Sequence, residues 1–558
     1  MRQSTEERKF MLILISAAVA VIASAAVCIT VFVKSGKSLN AFSSKTEAVG
    51  EFVGYVTPSE DKIYSPGETV LLSVSAKNGA SAYAMISGEK ISLNVTEEKK
   101  DGYSVFSGSV IMPQATDYEQ ELGNAAFFVT YGGITQICYG GRITVTAAAK
   151  SNLVISSENE AQGEKNAKLL TVTGMMTEGK DVTTNELFFN PQYGNLVCGM
   201  TDYVTGKIID YDDDGNEAQY YKLLSGRAVK ADSNVTLTDA GSVMTYNTAS
   251  LSSSGGKIIM NETMKVPYKL RYVGQSFTKG YETLAYNAKP FTATAIDFIF
   301  EYTTSFSGSL SSYSDEVISG VDVFTNADDK TLILHCRLKR AGKFFGYIME
   351  YDEKGSLCIS FRKPVKSLSQ MSIIIDPGHG KNPGALDFTG KHGEAQQVLR
   401  ISKHLAAYLS SAGAKVYMTR TADTEVSLET RRLMNQQIKP DLFISIHLNG
   451  AENTSRSGTS TYYFTPFSQP LAECINKRLA EIYTESCYKN NPEMSRKANG
   501  GDRYYPFFVT RTDVCPSVLV EVGFFTNELE SKYLLDEAYQ QAFGRAIFNA
   551  VSDFAQMS

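Results

Sequence analysis

From Met371 onward, short apolar runs alternate with segments of helical periodicity, and this alternation constrains the fold more than any other feature of the chain. The apolar runs read SIIID, KVYMT, DLFISIH and SVLVEVGF. Within residues 394–412, four apolar residues recur at helical spacing: Val398, Ile401, Leu405 and Leu409. Gly413 follows, where helices commonly end. The pattern predicts an α/β domain over residues 371–558, with a mostly parallel sheet covered by helices.

Chemically active side chains stand at the ends of these runs. His379 follows the first run in a Pro-Gly turn, His447 ends the third run, and Glu521 ends the last. Glu394 begins the first predicted helix. Because sites in open α/β sheets form beyond the carboxyl ends of the strands, we expect these four side chains on one rim of the sheet.

Two imidazoles and one carboxylate, with water in the fourth position, form a common type of catalytic zinc site. Zinc lowers the pKa of its water to about 7, and a carboxylate off the metal can carry a proton to a departing amine. These residue types therefore indicate amide hydrolysis without a Ser or Cys nucleophile. His392 is the nearest rival ligand, whereas His335 in a β-run and His404 in mid-helix are expected to be structural. The alternative role of Glu394 is that of a negative charge at the helix N-terminus, where the helix dipole stabilises it.

Six motifs occur in order along this region: DPGHG at 376–380, NPGA at 382–385, GEA at 393–395, TRTAD at 419–423, PDLFISIHLN at 440–449 and VLVEVGFFTN at 518–527. With these motifs, residues 371–558 resemble the catalytic domain of the zinc-dependent N-acetylmuramoyl-L-alanine amidases, the type 3 amidase family of bacterial cell-wall hydrolases. The resemblance implies one Zn²⁺ ion and three ligands: His379, Glu394 and His447. It implies that Glu521 is the catalytic glutamate.

The same resemblance implies cleavage of the amide between N-acetylmuramic acid and the L-alanine of the stem peptide, so peptidoglycan is the expected partner. Four further positions are candidate substrate-binding residues: Arg420, Arg431, Asn449 and Arg511. The alternative for the three arginines is that they pair with neighbouring groups of the protein and do not contact substrate. Two other functions stay open, namely a catalytically silent wall-binding scaffold and a zinc peptidase acting within the stem peptide. Residues 450–506 are too few for an added regulatory helix over the zinc. Any restraint on the activity is therefore expected to come from the β-rich regions or from protein regulators.

The N-terminus contains an uncharged apolar stretch at residues 10–33, long enough to cross a bilayer as a helix. It predicts a single-pass anchor in the cell membrane, with residues 1–9 cytoplasmic and residues 34–558 outside, facing the cell wall. A cleaved signal peptide with the Ala-Ser-Ala at 23–25 and a lipoprotein site at Cys28 are the alternatives.

Two β-rich regions separate this stretch from the C-terminal domain. After a polar linker at 34–52, short alternating runs and turns predict a β-sandwich-like domain at 53–149. Residues 150–370 predict a second β-rich domain, and a spacer or tethering role is expected for both. In the second domain, three aspartates and a glycine match half of a calcium loop: Asp210, Asp212, Asp214 and Gly215. Tyr221 replaces the expected bidentate Glu, so a solvated turn is the alternative.

Charge and cysteine content narrow the function further. The net charge of −6 argues against nucleic-acid binding, which favours a basic surface. Apart from Cys28, seven cysteines are scattered with no metal-like spacing. They are expected to be isolated thiols, and not a disulfide framework.

Overall fold

A computed structural model describes residues 52–145 and 167–558, with gaps at 60–61, 65–66, 87–88, 99–101, 114–119, 175, 179, 182–187, 213–215, 242, 245 and 276–289. The predicted anchor at 10–33, with its alternative cleavage and lipoprotein sites, lies outside the described residues. Among the helices of the described ranges, none is long and apolar enough to cross a membrane.

The first β-rich region is built from one continuous path of strands. Its described part contains β1 (Val53–Thr57), β2 (Lys62–Tyr64), β3 (Thr69–Lys77), β4 (Ser81–Ile86), β5 (Glu89–Glu98), β6 (Tyr103–Ile111), β7 (Gln120–Tyr131) and β8 (Ile134–Val145). The order is β1-β3-β6-β5-β4-β7-β8, with antiparallel neighbours. The path folds around a buried apolar core that includes Leu72, Phe106 and Phe127. The predicted β-rich character of this region is confirmed.

The second region contains three larger sheets. Its strands are β9 (Ala167–Val172), β10 (Met176–Thr177), β11 (Lys180–Asp181), β12 (Phe188–Phe189), β13 (Leu196–Val197), β14 (Thr201–Tyr211), β15 (Glu217–Leu223), β16 (Arg227–Lys230), β17 (Val235–Gly241), β18 (Asn247–Ser254), β19 (Lys257–Glu262), β20 (Tyr268–Val273), β21 (Ala295–Phe300), β22 (Thr303–Gly308), β23 (Ile318–Asn326), β24 (Thr331–Leu338), β25 (Tyr347–Tyr351) and β26 (Leu357–Phe361). They form a seven-stranded sheet (β12-β11-β16-β15-β14-β9-β17), a five-stranded sheet (β22-β18-β19-β26-β25) and a four-stranded sheet (β20-β21-β24-β23). β10 and β13 pair separately.

The C-terminal region is an α/β domain, as predicted. Its strands are β27 (Ser372–Pro377), β28 (Lys415–Met418), β29 (Leu442–Asn449), β30 (Thr459–Tyr463), β31 (Asn499–Tyr504) and β32 (Ser517–Phe524). Its helices are α1 (Glu394–Ser411), α2 (Leu428–Ile438), α3 (Gln469–Ile482), α4 (Pro492–Lys497), α5 (Glu528–Leu535) and α6 (Glu537–Met557), with shorter helical turns at Leu368–Gln370, Pro466–Ser468, Tyr483–Cys487 and Phe508–Thr510. Strands β28, β27, β29 and β32 run parallel, and β30 is antiparallel to β32.

Burial along α1 and β27 explains why these segments take these structures. The four apolar residues predicted at helical spacing in α1 are all buried, and Gly413 follows with a φ of +86°. This left-handed conformation suits glycine at a helix end. In β27, Ile373, Ile374 and Ile375 are all fully buried, as expected for a strand covered on both faces.

The two faces of the C-terminal sheet are covered differently. One face shares the large apolar core to which α1, α3 and α6 contribute Leu405, Leu471 and Ile547. On the other face, Tyr417 and Phe443 share a core with Met434 of α2 and with residues of β7 and β8. The sheet is therefore mostly parallel, as predicted, but strands of the first β-rich region take part of the cover that we assigned to helices.

Strand β8 also extends the C-terminal sheet. It pairs in parallel with β28, with Ile134 opposite Val416 and Thr135 opposite Tyr417. The Thr421 hydroxyl donates to Gln136 Oε1 across this junction at 2.6 Å, where both groups are buried. The first β-rich region and the C-terminal domain therefore share one fourteen-stranded sheet within the described residues. The sequence patterns did not predict this continuity.

Candidate metal centre

His379 lies in the turn that follows β27. Its backbone has a φ of +58°, a conformation that few residues other than glycine adopt. A Cβ on Gly378 would lie 2.3 Å from the His447 ring, and one on Gly384 would lie 2.5 Å from Glu394 Oε2. Glycines are therefore required where the turn approaches the other predicted ligands.

The three predicted ligands lie together at the carboxyl ends of β27 and β29 and the start of α1. His379 Nε2 and His447 Nδ1 each lie 3.0 Å from Glu394 Oε1. Ligand atoms of the three residues all lie within 4.8 Å of one another. Two imidazoles and a carboxylate at this spacing have the donor chemistry that Zn²⁺ prefers.

Backbone amides fix the Glu394 carboxylate. Oε1 accepts a hydrogen bond from Leu448 N at 2.9 Å, and Oε2 accepts one from Ala385 N at 2.8 Å. Burial by itself would raise the pKa of Glu394, but hydrogen bonds and charge from His379 and His447 lower it below its ordinary value. Burial lowers the pKa of His447. The lowered pKa of Glu394 favours the ionised carboxylate, which is the form that binds a metal.

Glu521 lies opposite His447 in the neighbouring strand, because the β29–β32 register pairs the two residues. Its Oε2 atom is buried and has no hydrogen-bond partner among the described residues. Burial and the negative charge of Glu394 raise the pKa of Glu521 well above its ordinary value. A carboxylate whose pKa is raised is a stronger base than an ordinary glutamate, which suits it to accept a proton.

Two of the predicted substrate-binding arginines bond to the protein around the His379 turn. Arg431 donates to the Asp376 carboxylate, to Pro377 O at 2.9 Å and to His379 O at 2.6 Å. Arg420 donates to Pro377 O at 3.0 Å and to Gly378 O at 2.6 Å. Both guanidinium groups therefore hold the turn in place, which is the local pairing that the sequence left as an alternative.

The other two predicted substrate-binding residues, Arg511 and Asn449, line the same cavity as the three predicted ligands. Arg511 Nε lies 3.0 Å from Glu178 Oε1, in the second β-rich region. Asn449 ends β29, and its carbonyl accepts a hydrogen bond from Phe525 N at 2.7 Å. A direct contact of either side chain with substrate stays a prediction.

The other histidines lie outside the three-residue cluster. His392 is exposed, and its backbone N–H donates to Asp387 Oδ1 at 2.9 Å. His335 Nδ1 lies 2.6 Å from Asp297 Oδ1, and His404 Nε2 lies 2.8 Å from Glu537 Oε1. The imidazoles of these two residues thus have carboxylate partners remote from the cluster.

The acidic turn joins β14 to β15, and part of it lies outside the described residues, including Asp214 and Gly215. Asp210 Oδ2 lies 2.8 Å from Lys180 Nζ, and Asp212 Oδ2 lies 3.0 Å from Lys230 Nζ. Lysines therefore neutralise the two described aspartates, while calcium binding stays a prediction. The seven described cysteines are free thiols, five of them buried.

A cavity of about 1170 Å³ connects the cluster with a second group of residues. Its lining includes His379, Glu394, His447 and Glu521. It also includes residues of the second β-rich region: Glu178, Lys180, Phe189, Asp212, Tyr220, Lys230, Asp232 and Asn234. Sequence patterns did not identify this contribution, because Asp212 is the only one of these positions that a motif marks, and that motif indicated calcium and not this cavity.

Comparisons with known proteins concern the C-terminal third of the chain. Residues 373–553 match the Amidase_3 family, described as N-acetylmuramoyl-L-alanine amidase. A Staphylococcus epidermidis protein named probable cell wall amidase LytH is 30% identical over 189 residues, which are 34% of this chain and 59% of that relative. A Staphylococcus aureus protein of the same name is 29% identical over 208 residues, which are 37% of this chain and 66% of that relative.

One solved structure, the catalytic domain of the N-acetylmuramoyl-L-alanine amidase CwlV from Bacillus (Paenibacillus) polymyxa, is 28% identical with a TM-score of 0.30. The match covers 34% of this chain and 99% of that one. This chain spans 59% of the length of the first curated relative that it matches.

Proposed function

Because its C-terminal domain is a member of the N-acetylmuramoyl-L-alanine amidase family, we propose that this protein hydrolyses the amide between N-acetylmuramic acid and the L-alanine of the peptidoglycan stem. The observation that carries the proposal is the cluster of His379, Glu394 and His447 beside the buried carboxyl group of Glu521. The cluster lies in the segment that matches the family, and it opens into a cavity large enough for a sugar-peptide fragment.

The cluster suits one Zn²⁺ ion, since its donors are two imidazoles and a carboxylate, and since glycines keep the space around them open. A zinc ion held by His379, Glu394 and His447 would polarise the substrate carbonyl and make hydroxide available near neutral pH. The backbone amides of Ala385 and Leu448 keep the Glu394 carboxylate in its orientation.

Glu521 moves the proton in this mechanism. Its carboxylate takes a proton from the water that attacks the carbonyl carbon, and it then delivers that proton to the amide nitrogen as the C–N bond breaks. The products are the lactyl carboxylate on the sugar and a free amino group on L-alanine. The raised pKa of Glu521 supports its role as proton carrier.

The test uses the purified full chain with Zn²⁺ and purified peptidoglycan. We expect released peptides that begin with a free L-alanine, identified by mass spectrometry. Glu521→Gln should lower the rate by roughly 100-fold or more, the scale of general-base catalysis, while zinc content stays unchanged. Glu528→Gln is the matched control, because Glu528 is an exposed glutamate of the same domain that pairs with Lys532.

Each other outcome points to a different function. Normal activity of Glu521→Gln would show that the assigned proton carrier is wrong. Binding of the wall without any product would favour the silent scaffold. Fragments that leave L-alanine attached to the sugar would favour a peptidase acting within the stem.

For the location of the protein, we propose that residues 10–33 anchor it in the cell membrane and that residues 34–558 face the cell wall. The uncharged length of the segment supports this, as does the extracytoplasmic position of the proposed substrate. Protease added to intact spheroplasts should degrade the catalytic domain, and deletion of residues 10–33 should abolish its recovery with membranes. If the catalytic domain were protected from the protease, the protein would have the opposite orientation in the membrane.

A further inference from the structure

Aromatic side chains line one part of the cleft at the candidate metal centre. Residues 505–507 directly follow β31, and they are Tyr505, Pro506 and Phe507. All three line the cavity that also contains Glu521. The large ring of Tyr505 is 39% exposed. We call Tyr505 and Phe507 the aromatic rim of the cleft.

A third ring holds the aromatic rim in place. The Tyr462 ring packs edge-on against Phe507 with centroids 5.1 Å apart, and the centroids of Tyr505 and Phe507 lie 4.5 Å apart. The Tyr505 backbone N–H also donates to Tyr463 O of β30 at 2.9 Å. Edge-to-face pairs of this kind stabilise a ring cluster. The rim is therefore an ordered surface, and a ligand that binds there loses little free energy in ordering it.

The register of β30 and β32 places the base of the rim on the same face of the sheet as Glu521. Tyr462 of β30 pairs with Leu519 of β32, and Leu519 lies two residues before Glu521. Directly paired residues share a face of the sheet, as do residues two apart in one strand. Leu519 and Glu521 both line the cavity. A substrate whose amide lies at Glu521 is therefore within reach of the aromatic rim.

The second β-rich region forms the far wall of the cleft, and the charges of that wall are balanced inside the protein. Arg511 Nε lies 3.0 Å from Glu178 Oε1, and Arg432 Nη1 lies 3.4 Å from Glu178 Oε2. Lys180 Nζ lies 2.8 Å from Asp210 Oδ2. The aromatic rim differs from this wall, because it adds exposed apolar surface to the cavity and no charge.

From this arrangement we propose that the aromatic rim binds a sugar ring of the glycan strand that carries the scissile amide. The contact is between the C–H face of the pyranose ring and the faces of Tyr505 and Phe507. An aromatic face is the negative part of the ring's quadrupole, so it attracts the weakly positive C–H groups of a sugar. The inference rests on the proposed amidase function, and it adds a glycan subsite to the cleft.

The charge of the two halves of the substrate favours the sugar over the stem peptide as the occupant of the rim. N-acetylated sugars are uncharged and have an apolar face, whereas the stem peptide carries carboxylates. A carboxylate gains nothing from the negative face of an aromatic ring. The exposed, uncharged surface of Tyr505 and Phe507 therefore suits the sugar.

The experiment compares two soluble substrates of the full chain with Zn²⁺. One is the disaccharide-tetrapeptide of N-acetylglucosamine and N-acetylmuramic acid. The other is D-lactyl-tetrapeptide, which has the same amide and the same peptide but no sugar. We expect Tyr505→Ala and Phe507→Ala to raise KM for the disaccharide substrate roughly five- to tenfold, with kcat nearly unchanged. The same variants should leave KM for lactyl-tetrapeptide within about twofold of the wild type.

Two further variants serve as controls. Tyr505→Phe keeps the ring and removes the hydroxyl, so it should keep KM for the disaccharide substrate within about twofold of the wild type. Tyr131→Ala removes a tyrosine that is also 39% exposed but lies outside the cavity lining, and it should change neither KM. If lactyl-tetrapeptide binds without being cleaved, its inhibition constant against the disaccharide substrate replaces its KM.

Three results would overturn the inference. KM for the disaccharide substrate could stay unchanged in both alanine variants. The two substrates could be affected equally, which would mean that the rim holds the peptide or only supports the fold. Tyr505→Phe could lose as much as Tyr505→Ala, which would mean that the hydroxyl and not the ring face makes the contact. If the wild-type chain cleaves neither substrate, the proposed function itself fails, and that outcome is separate from the other three.

Discussion

At the scale of single residues, the His379 turn shows how the candidate ligands are held. The backbone of His379 is in the left-handed region, which costs free energy for a residue with a side chain. Arg431 and Arg420 offset this cost by donating to carbonyl groups of the turn, including those of Pro377 and Gly378. These bonds therefore fix the backbone that carries the His379 imidazole.

Substitution of Gly384 tests whether the space beside Glu394 and His379 is needed for zinc binding. Gly384→Ala should weaken zinc binding by roughly 10- to 100-fold, the scale of damage to groups that orient metal ligands. The physical reason is steric, because the new Cβ would lie 2.5 Å from Glu394 Oε2 and 2.7 Å from His379 Cδ2. Zinc affinity is measured by competition with a chromogenic chelator.

Gly390→Ala is the control for that substitution. Gly390 has a φ of +71°, close to the +69° of Gly384, and its Cβ would have no neighbour within 4 Å. The two variants therefore carry similar backbone strain and differ in the clash with the cluster. Equal zinc affinities would show that the space beside Glu394 is not needed.

At the scale of elements, the register of two parallel strands decides which side chains face the metal ligands. The pairing of β29 with β32 sets His447 opposite Glu521. A slip of one residue would turn each side chain to the other face of the sheet. The ends of these strands are in turn tied to α5, whose first turn contains Glu530.

Glu530 joins three segments near the end of β32. Its carboxylate accepts hydrogen bonds from Phe524 N at 2.7 Å, from Gly458 N at 2.6 Å and from the Tyr488 hydroxyl at 2.7 Å. Burial raises its pKa to about 7, and these three bonds only partly oppose the shift. Between the ordinary carboxyl pKa and 7, the folded chain therefore holds a proton that the unfolded chain releases.

This proton makes stability depend on pH. The contribution of Glu530 is fully present below pH 4.5 and is lost as the pH rises through 7. Relative to Glu530→Gln, the free energy of unfolding of the wild type should fall by about 3 kcal/mol between pH 4.5 and 8. Urea denaturation of both proteins across this range measures the difference. If the free energies of unfolding of the wild type and Glu530→Gln changed equally with pH, Glu530 would have the same pKa in the folded and unfolded chains.

At the scale of the whole molecule, the described regions are joined through shared sheets and cores. Phe128 of β7 stacks on Tyr83 with a centroid distance of 4.5 Å. It belongs to the same core as Ile374, Tyr417 and Phe443 of the C-terminal domain. The first β-rich region, for which a spacer or tethering role was expected, therefore also supports the sheet of the C-terminal domain.

Phe128→Ala tests this support. It should lower the free energy of unfolding of the C-terminal domain by about 3–5 kcal/mol, because a large buried ring would leave a cavity in a shared core. Leu71→Ala is the control, since Leu71 lies in the same region but is 58% exposed, and its change should stay within about 0.5 kcal/mol. Urea denaturation measures the change in the free energy of unfolding, and hydrogen exchange of the backbone amides in β27 and β28 shows whether the C-terminal domain is affected. If only the first region loses stability, the two regions fold independently.

Several features could be predicted from sequence because they depend on neighbouring residues. The alternation of apolar runs and helical patterns predicted the α/β domain. The position of α1 follows from its helical periodicity, and that of β27 follows from its continuous apolar run. The residues of the candidate metal centre stand at strand ends and a helix start, so the general geometry of parallel sheets was enough to bring them together.

Other features were decided only by the tertiary structure, because they depend on contacts between distant parts of the chain. Thr421 and Gln136 meet across the β8–β28 junction although they are 285 positions apart, and Glu178 reaches Arg511 from another region. Many partners could satisfy a strand edge or a buried guanidinium equally well, so local patterns do not specify which one does. The sequence by itself determined the chemistry of the cluster, whereas the tertiary structure decided what surrounds it and which region forms the far wall of its cleft.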